Sequence, residues 1–252
     1  MFDLFFGTII FILGSMVGSF LSCVVYRLEQ GKSFLRGRSF CPKCRHYLSW
    51  MDLFPILSYI FLGGRCRYCK QRISPQYPII ELASGLLFVA LTSVSPDFPA
   101  LIFNLTISSI LVVIFIFDLK HYIIPDGAVY LAIAVSLVHL FYFGNFSNIL
   151  YSLSFFVFCL LLVLVSKGRW MGMGDVKLAA FMGLFLGWPN ILVAVFVSFL
   201  LGAIVGFFLV FRKKKSMSSE MPFGPFLVIG TFAAIFEGEK IIDWYLSLFL
   251  LK

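Results

Sequence analysis

Charge is what this chain has least of. Of its 252 residues only 13% are charged, while 61% are hydrophobic; a soluble domain is nearer one quarter charged and one half apolar. That deficit excludes an ordinary soluble globular protein. Acidic residues are scarcer than basic ones, 12 against 20. Long polar stretches are nearly missing, and residues 28–76 form the only one. No basic stretch precedes the first apolar run, and Arg27 follows it, which argues against a cleavable signal peptide. A glycine-rich strand–loop–helix unit for a nucleotide is absent as well. Histidine is rare. His46 and His121 lie in basic polar loops and read as surface groups, and His139 lies in an apolar run, where it reads as bonded to a helix neighbour.

What is abundant is apolar sequence in runs. A span needs about 20 apolar residues. Segments near 4–26, 77–95, 100–118, 123–143, 147–166, 178–189, 190–211 and 222–236 qualify, the sixth being short and the eighth marginal. Residues 241–251 either lie along the interface or complete the bundle. The expected fold is an all-α polytopic membrane protein of about eight transmembrane helices, with a small cytoplasmic domain inserted between the first and second. The expected division is residues 1–27, 28–76 and 77–252. Of the 20 basic residues, all but Lys240 and Lys252 fall in alternate loops, including the cluster Arg212, Lys213, Lys214 and Lys215. Basic residues mark cytoplasmic loops, so these loops face the cytoplasm. The net charge of +8 is then a topology signal with some attraction to anionic lipid, and it calls for no nucleic-acid partner.

The polar segment holds Cys41-Pro42-Lys43-Cys44 and Cys66-Arg67-Tyr68-Cys69, with 21 residues between the pairs. Two such knuckles complete a tetrahedral four-thiolate site, usually for zinc. A cytoplasmic loop keeps thiols reduced, which favours a structural metal over the alternatives of two disulfides or four unengaged thiols. A metal would also supply folding energy to a loop with little core. Tyr47, Leu48, Trp50, Leu53 and Phe54 either pack beneath the metal or dip into the interface, Gly63-Gly64 suits a tight turn, and Cys23 and Cys159 read as small core residues.

Two aspartates stand where a bilayer least favours them. Asp118 follows the apolar residues 100–117, and Asp175 closes Gly172-Met173-Gly174-Asp175 just before another apolar run. Carboxylates at such positions usually mark function. With the span count above, both reach the same membrane face. A pair sharing one proton is the minimum equipment of an aspartic protease. Gly172 and Gly174 would let a substrate backbone come close. The structural alternative for Asp175 is a helix cap. Asp126, after Pro125, reads as a charge placed at a helix N-terminus. Rival classes stay open on these residues: a cation transporter, which would favour carboxylates at the midplane, or a non-catalytic zinc-bearing scaffold of a secretion system.

The order of motifs resembles the type IV prepilin peptidases. It runs from Gly18-Ser19-Phe20-Leu21 and Tyr26-Arg27-Leu28 through the two knuckles to Ile73-Ser74-Pro75 and Tyr77-Pro78-Ile79-Ile80-Glu81. It continues with Asp118, Ile124-Pro125-Asp126, Gly172-Met173-Gly174-Asp175-Val176-Lys177 and Pro222-Phe223-Gly224-Pro225-Phe226. The resemblance implies a GxGD aspartic protease of the bacterial inner membrane, with Asp118 and Asp175 catalytic. It implies removal of a short basic leader from prepilins or pseudopilins on the cytoplasmic side. It further implies methylation of the new N-terminal residue with S-adenosylmethionine, the four-cysteine loop being the part associated with methylation. Gly64 and Glu81 are the residues expected near the methyl donor. A peptidase without methyl transfer is the leaner version.

Overall fold

The computed structural model describes residues 4–33, 37–211 and 221–250. Arg36, the basic cluster 212–215 and Lys252 lie outside the described residues. Nine α-helices follow in order among the described residues: α1 (Leu4–Glu29), α2 (Leu57–Phe61), α3 (Gln76–Val94), α4 (Phe98–His121), α5 (Asp126–Phe143), α6 (Ser147–Ser166), α7 (Met173–Leu186), α8 (Asn190–Phe211) and α9 (Gly224–Leu250). A 3-10 turn covers Trp50–Leu53. All but the five-residue α2 answer to the eight apolar segments. Six are long and apolar enough to cross a membrane: α1, α3, α4, α5, α6 and α8.

Two segments differ from their sequence reading. The sixth begins five residues earlier, because Gly172 caps α7 and a polar first turn precedes the apolar run. With 14 residues this helix is about 21 Å long, short of a bilayer core of about 30 Å. The eighth does not stop at residue 236: α9 runs on to Leu250 and absorbs the final apolar piece. Glu237, Glu239, Lys240 and Asp243 interrupt the hydropathy there, yet all are exposed, and Glu and Lys are good helix formers.

The chain divides into two compact units, Met1–Val113 and Ile114–Lys252, with the boundary inside α4. In the first, α1 packs on α3 through small residues. A methyl group on Gly18 would lie 2.8 Å from Ser84 Oγ, and one on Gly85 would lie 2.5 Å from Ser15 Oγ. Such backbone approach is how helices associate where lipid removes the hydrophobic drive.

In the second unit α7 is the core. It packs against α5, α6, α8 and α9, and Val176, Leu178, Ala179, Phe181 and Met182 are fully buried. From Leu178 on this helix is apolar all round, and such a helix belongs inside. Polar side chains of α6 fasten it: Ser152 Oγ donates to the Ala180 carbonyl at 2.7 Å and Asn148 Nδ2 to that of Leu184 at 3.1 Å.

Candidate active site and metal centre

In the second unit Asp118 lies near the end of α4 and is 3% exposed, and its Oδ2 has no hydrogen-bond partner among the described residues. The first residue of α9 meets it. A methyl group on Gly224 would fall 2.6 Å from Oδ2 and 3.1 Å from Cδ1 of Ile124. Asp175 sits in the first turn of α7, 7% exposed, with Oδ2 accepting the Gly172 N–H at 3.1 Å. The cap of α7 is thus Gly172 and not Asp175, which stands at the third helical position and reaches back to the cap with one of its two oxygens. Ile124 also reaches Gly174, whose added methyl would lie 3.0 Å from its Cβ. Asp118 is near enough for its charge to act on Asp175. The structure thus brings Asp118, Asp175, Gly172 and Gly174 into one region, with Ile124 packed against both Gly174 and Gly224 and Gly224 against Asp118.

The positive ends of two helices serve this pair: the first turn of α7 carries Asp175, and α9 begins against Asp118. Buried carboxylates in electrostatic reach can share a proton, and an oxygen without a protein partner can take a water. The first turns of α5 and α7 are tied on the outside by Lys177 Nζ to Asp126 Oδ1 at 2.7 Å, with Lys177 over the ring of Tyr130. Sequence reasoning gave Ile124 and Gly224 no role. Their only signal was membership of two quoted motifs, since the contacts join segments far apart in the chain.

In the first unit the four cysteines of the loop converge. The sulfurs of Cys41, Cys44, Cys66 and Cys69 all lie within 4.8 Å of one another, with Cys41 Sγ to Cys69 Sγ at 4.0 Å. A tetrahedral zinc with Zn–S near 2.3 Å requires S–S separations of about 3.8 Å, so the donor set fits that ion. The two knuckles repeat one another. Cys41 N–H bonds the His46 carbonyl and Cys66 N–H that of Gln71, each at 2.9 Å. Arg45 and Lys70 both take the left-handed conformation, with φ of 59° and 58°. Burial pushes the Cys41 thiol up, but the knuckle amides of Cys44 and Lys43 pull it down to about 7; at Cys69 the Gln71 amide pulls down, but burial and the thiols of Cys66, Cys44 and Cys41 push it up to about 11, so the four thiols titrate against one another. His46 of the first knuckle stacks on Tyr68 of the second, ring centroids 3.6 Å apart. His139 packs against Phe143 and Phe185.

The second knuckle reaches further. Arg67 Nε and the Tyr68 hydroxyl donate to Asp52 at 2.7 and 3.1 Å, joined by the Ser49 hydroxyl and N–H. Burial raises the Asp52 carboxyl, but these donors outweigh it and hold it below its ordinary range. Asp52 lines a cavity of about 190 Å³ enclosed by α1, the loop and α3, with Tyr26, Arg27, Tyr59, Tyr77 and Glu81 also in its wall. Glu81, 8% exposed, accepts the N–H of Ile56 at 2.7 Å. Ile56 has φ 62° and ψ −51°, an unusual backbone for a β-branched residue of the kind that gathers at functional sites. Gly64 is not in the wall. It shapes it, because a methyl there would press on the Tyr59 hydroxyl at 3.0 Å.

Comparison with known proteins places both units. The profile of the Bacterial Peptidase A24 N-terminal domain matches residues 12–94, and that of the Type IV leader peptidase family matches residues 105–207. A protein of Bacillus subtilis (strain 168) is 32% identical, covering 96% of this chain and 99% of its own length. One of Aeromonas hydrophila is 30% identical over 96% and 94%, and one of Myxococcus xanthus (strain DK1622) 34% identical over 80% and 62%. All three are named prepilin leader peptidase/N-methyltransferase. No solved structure matches. With both profiles in chain order and relatives of 30% and 32% identity alike over 96% of its length, the chain belongs to the type IV leader peptidase family.

Proposed function

We propose that the chain is an aspartic endopeptidase of the bacterial inner membrane that removes the short basic leader of prepilins or pseudopilins and then N-methylates the new N-terminal residue. The observation that carries this reading is a pair of buried carboxylates, Asp118 and Asp175, at helix ends, one with an uncommitted oxygen. The names of the relatives support it. One carboxyl of the pair is ionised and takes a proton from water; that water attacks the scissile carbonyl; the protonated carboxyl donates to the oxyanion or the leaving amine. The pair titrates as a unit. Gly172 and Gly174 are the residues we assign to the substrate backbone, which would have to meet Gly174 on the side that Ile124 does not fill.

Placed at the cytoplasmic boundary, as the basic loops indicate, such a site suits a substrate cut between a basic leader and an apolar helix that stays in the bilayer. Cys41, Cys44, Cys66 and Cys69 would hold a structural zinc. The cavity beside them, shaped by Gly64 and walled by Glu81, is the seat assigned to S-adenosylmethionine, which supplies an electrophilic methyl. The fibre served is a pilus, a type II secretion pseudopilus or a DNA-uptake fibre.

The test is incubation of the purified protein with a precursor carrying a glycine-ending basic leader, with and without S-adenosylmethionine, read by the mass of the product's N-terminus. The expected product loses the leader in both cases and carries one added methyl only with the donor. Asp118→Asn and Asp175→Asn are each expected to abolish cleavage while the protein still inserts. Cleavage by either variant removes that residue from the role.

A further inference from the structure

Glu81 is the one carboxylate in the cavity wall without a cation. Asp52 is neutralised by Arg67 and filled by three further donors. Arg27 is spent on the carbonyls of Gly37 and Arg38, at 2.9 and 3.3 Å. Glu81 has one uncharged donor, the Ile56 N–H, and forms no ion pair among the described residues. A carboxylate taken from water without a counter-charge is costly. Ile56, in an unusual backbone conformation, meets that carboxylate through its amide. The missing counter-charge is explained if a cationic ligand completes the site.

Three cations belong to the reaction read above: the sulfonium and the α-ammonium of the methyl donor, and the α-ammonium of the freshly cut chain. Only the last carries a proton that must leave before the methyl can be transferred. An N-terminal amine has a pKa near 7.7–8.0, so at neutral pH it arrives mostly protonated, and the protonated form is no nucleophile. Depth agrees. Glu81 is in the second turn of α3, at the end of that span next to the loop, and a substrate helix still in the bilayer carries its new amine at such a boundary.

We propose that Glu81 binds the α-ammonium of the cut chain and takes its proton for methyl transfer. The inference rests on the cavity being the methyl-donor site. In the step, the ammonium N–H bond breaks and its proton passes to the Glu81 carboxylate. The freed lone pair forms the N–C bond as the S–C bond of the donor breaks, its electron pair staying on sulfur. The product is a methylated ammonium and a neutral thioether. The proton on Glu81 then leaves to solvent, restoring the carboxylate.

The experiment uses the full-length protein in lipid nanodiscs, a peptide with a free mature N-terminus, and labelled S-adenosylmethionine. Glu81→Gln is expected to lower methyl transfer about a hundredfold at neutral pH, the usual worth of a positioned base. The deficit should narrow as pH rises past 8, where the free amine forms unaided. Peptide binding without donor should weaken about tenfold, while donor binding by equilibrium dialysis stays within threefold. Loss of donor binding with a deficit constant across pH overturns the proposal and gives Glu81 to a cation of the donor. Unchanged methyl transfer overturns it as well. Should Glu81→Gln also lose precursor cleavage, the fold is disturbed and Glu81→Asp decides: a pH-dependent partial deficit supports the proposal, and wild-type rates overturn it. Cys23→Phe, which fills the cavity from α1, checks the underlying reading separately. If the donor still binds to it at wild-type affinity, the cavity is not the donor site.

Discussion

Gly224 has no side chain, and Asp118 Oδ2 occupies the place one would take, 2.6 Å from the added methyl. The start of α9 is backbone and cannot yield as a side-chain tip would, so Gly224→Ala must displace the carboxylate or the helix. A displacement of about 1 Å is enough to cost a hundredfold in rate. Purified Gly224→Ala is therefore expected to cleave precursor about a hundredfold more slowly with KM little changed; a kcat within threefold of wild type contradicts the contact. Asp175 calls for a different comparison, because its side chain also accepts the N–H of Gly172, the residue that caps α7. Asparagine can still accept the Gly172 N–H through its amide oxygen, and alanine cannot. Loss of such a bond costs about 1 kcal/mol. Both variants are expected to lose cleavage, but Asp175→Ala should melt measurably below Asp175→Asn. Equal melting temperatures would deny the bond any weight.

The cysteine loop is held from two directions. The four thiolates would be joined by the metal, and the second knuckle carries Arg67 and Tyr68 to Asp52, which stands in the cavity wall. Metal removal should therefore reach the cavity and spare the aspartate pair, which belongs to the other unit. Stripping the metal with a chelator is expected to reduce methyl transfer at least tenfold and leave leader removal within twofold, with metal analysis tracking the loss. Cys41→Ser should likewise lower bound zinc. The Asp52 cluster also gives a dependence on acid. Its folded carboxyl lies below the ordinary value, near 3.9 in the unfolded chain. Its stabilisation is thus fully present above that value and is lost as pH falls through the lower, folded one. Asp52→Asn removes it at every pH. Amides 49–52 should exchange hydrogen faster in the variant at pH 7, and the gap should close as the pH is taken below about 3.9. A gap that persists unchanged into strong acid would mean that the charge is not what holds the turn.

At the scale of the whole molecule, the sequence revealed what is local and periodic. The apolar runs gave the positions of the eight long helices, and cysteine spacing gave the four thiols that converge. Asp118 and Asp175 stood out because a charge beside an apolar run is costly wherever the chain folds. What stayed hidden depends on contacts distant in sequence or on backbone that no residue type announces. Arg45 and Lys70 take a left-handed turn in place of glycine. Ile124 wedges between Gly174 and Gly224, and Asp52 is claimed by a knuckle fifteen positions away. The division of the chain into two units was equally illegible, since its boundary falls inside one unbroken helix. That division carries the last expectation. The residues assigned to cleavage all lie after the boundary, and those assigned to the metal and the methyl donor all lie before it. The two activities should then fail independently. Asp175→Asn, given a peptide whose mature N-terminus is already free, is expected to methylate it within twofold of the wild-type rate while leaving a leader-bearing precursor uncut. If the same variant also stops methylating the free peptide, the carboxylate pair acts in both reactions, and the assignment of one chemistry to each unit fails.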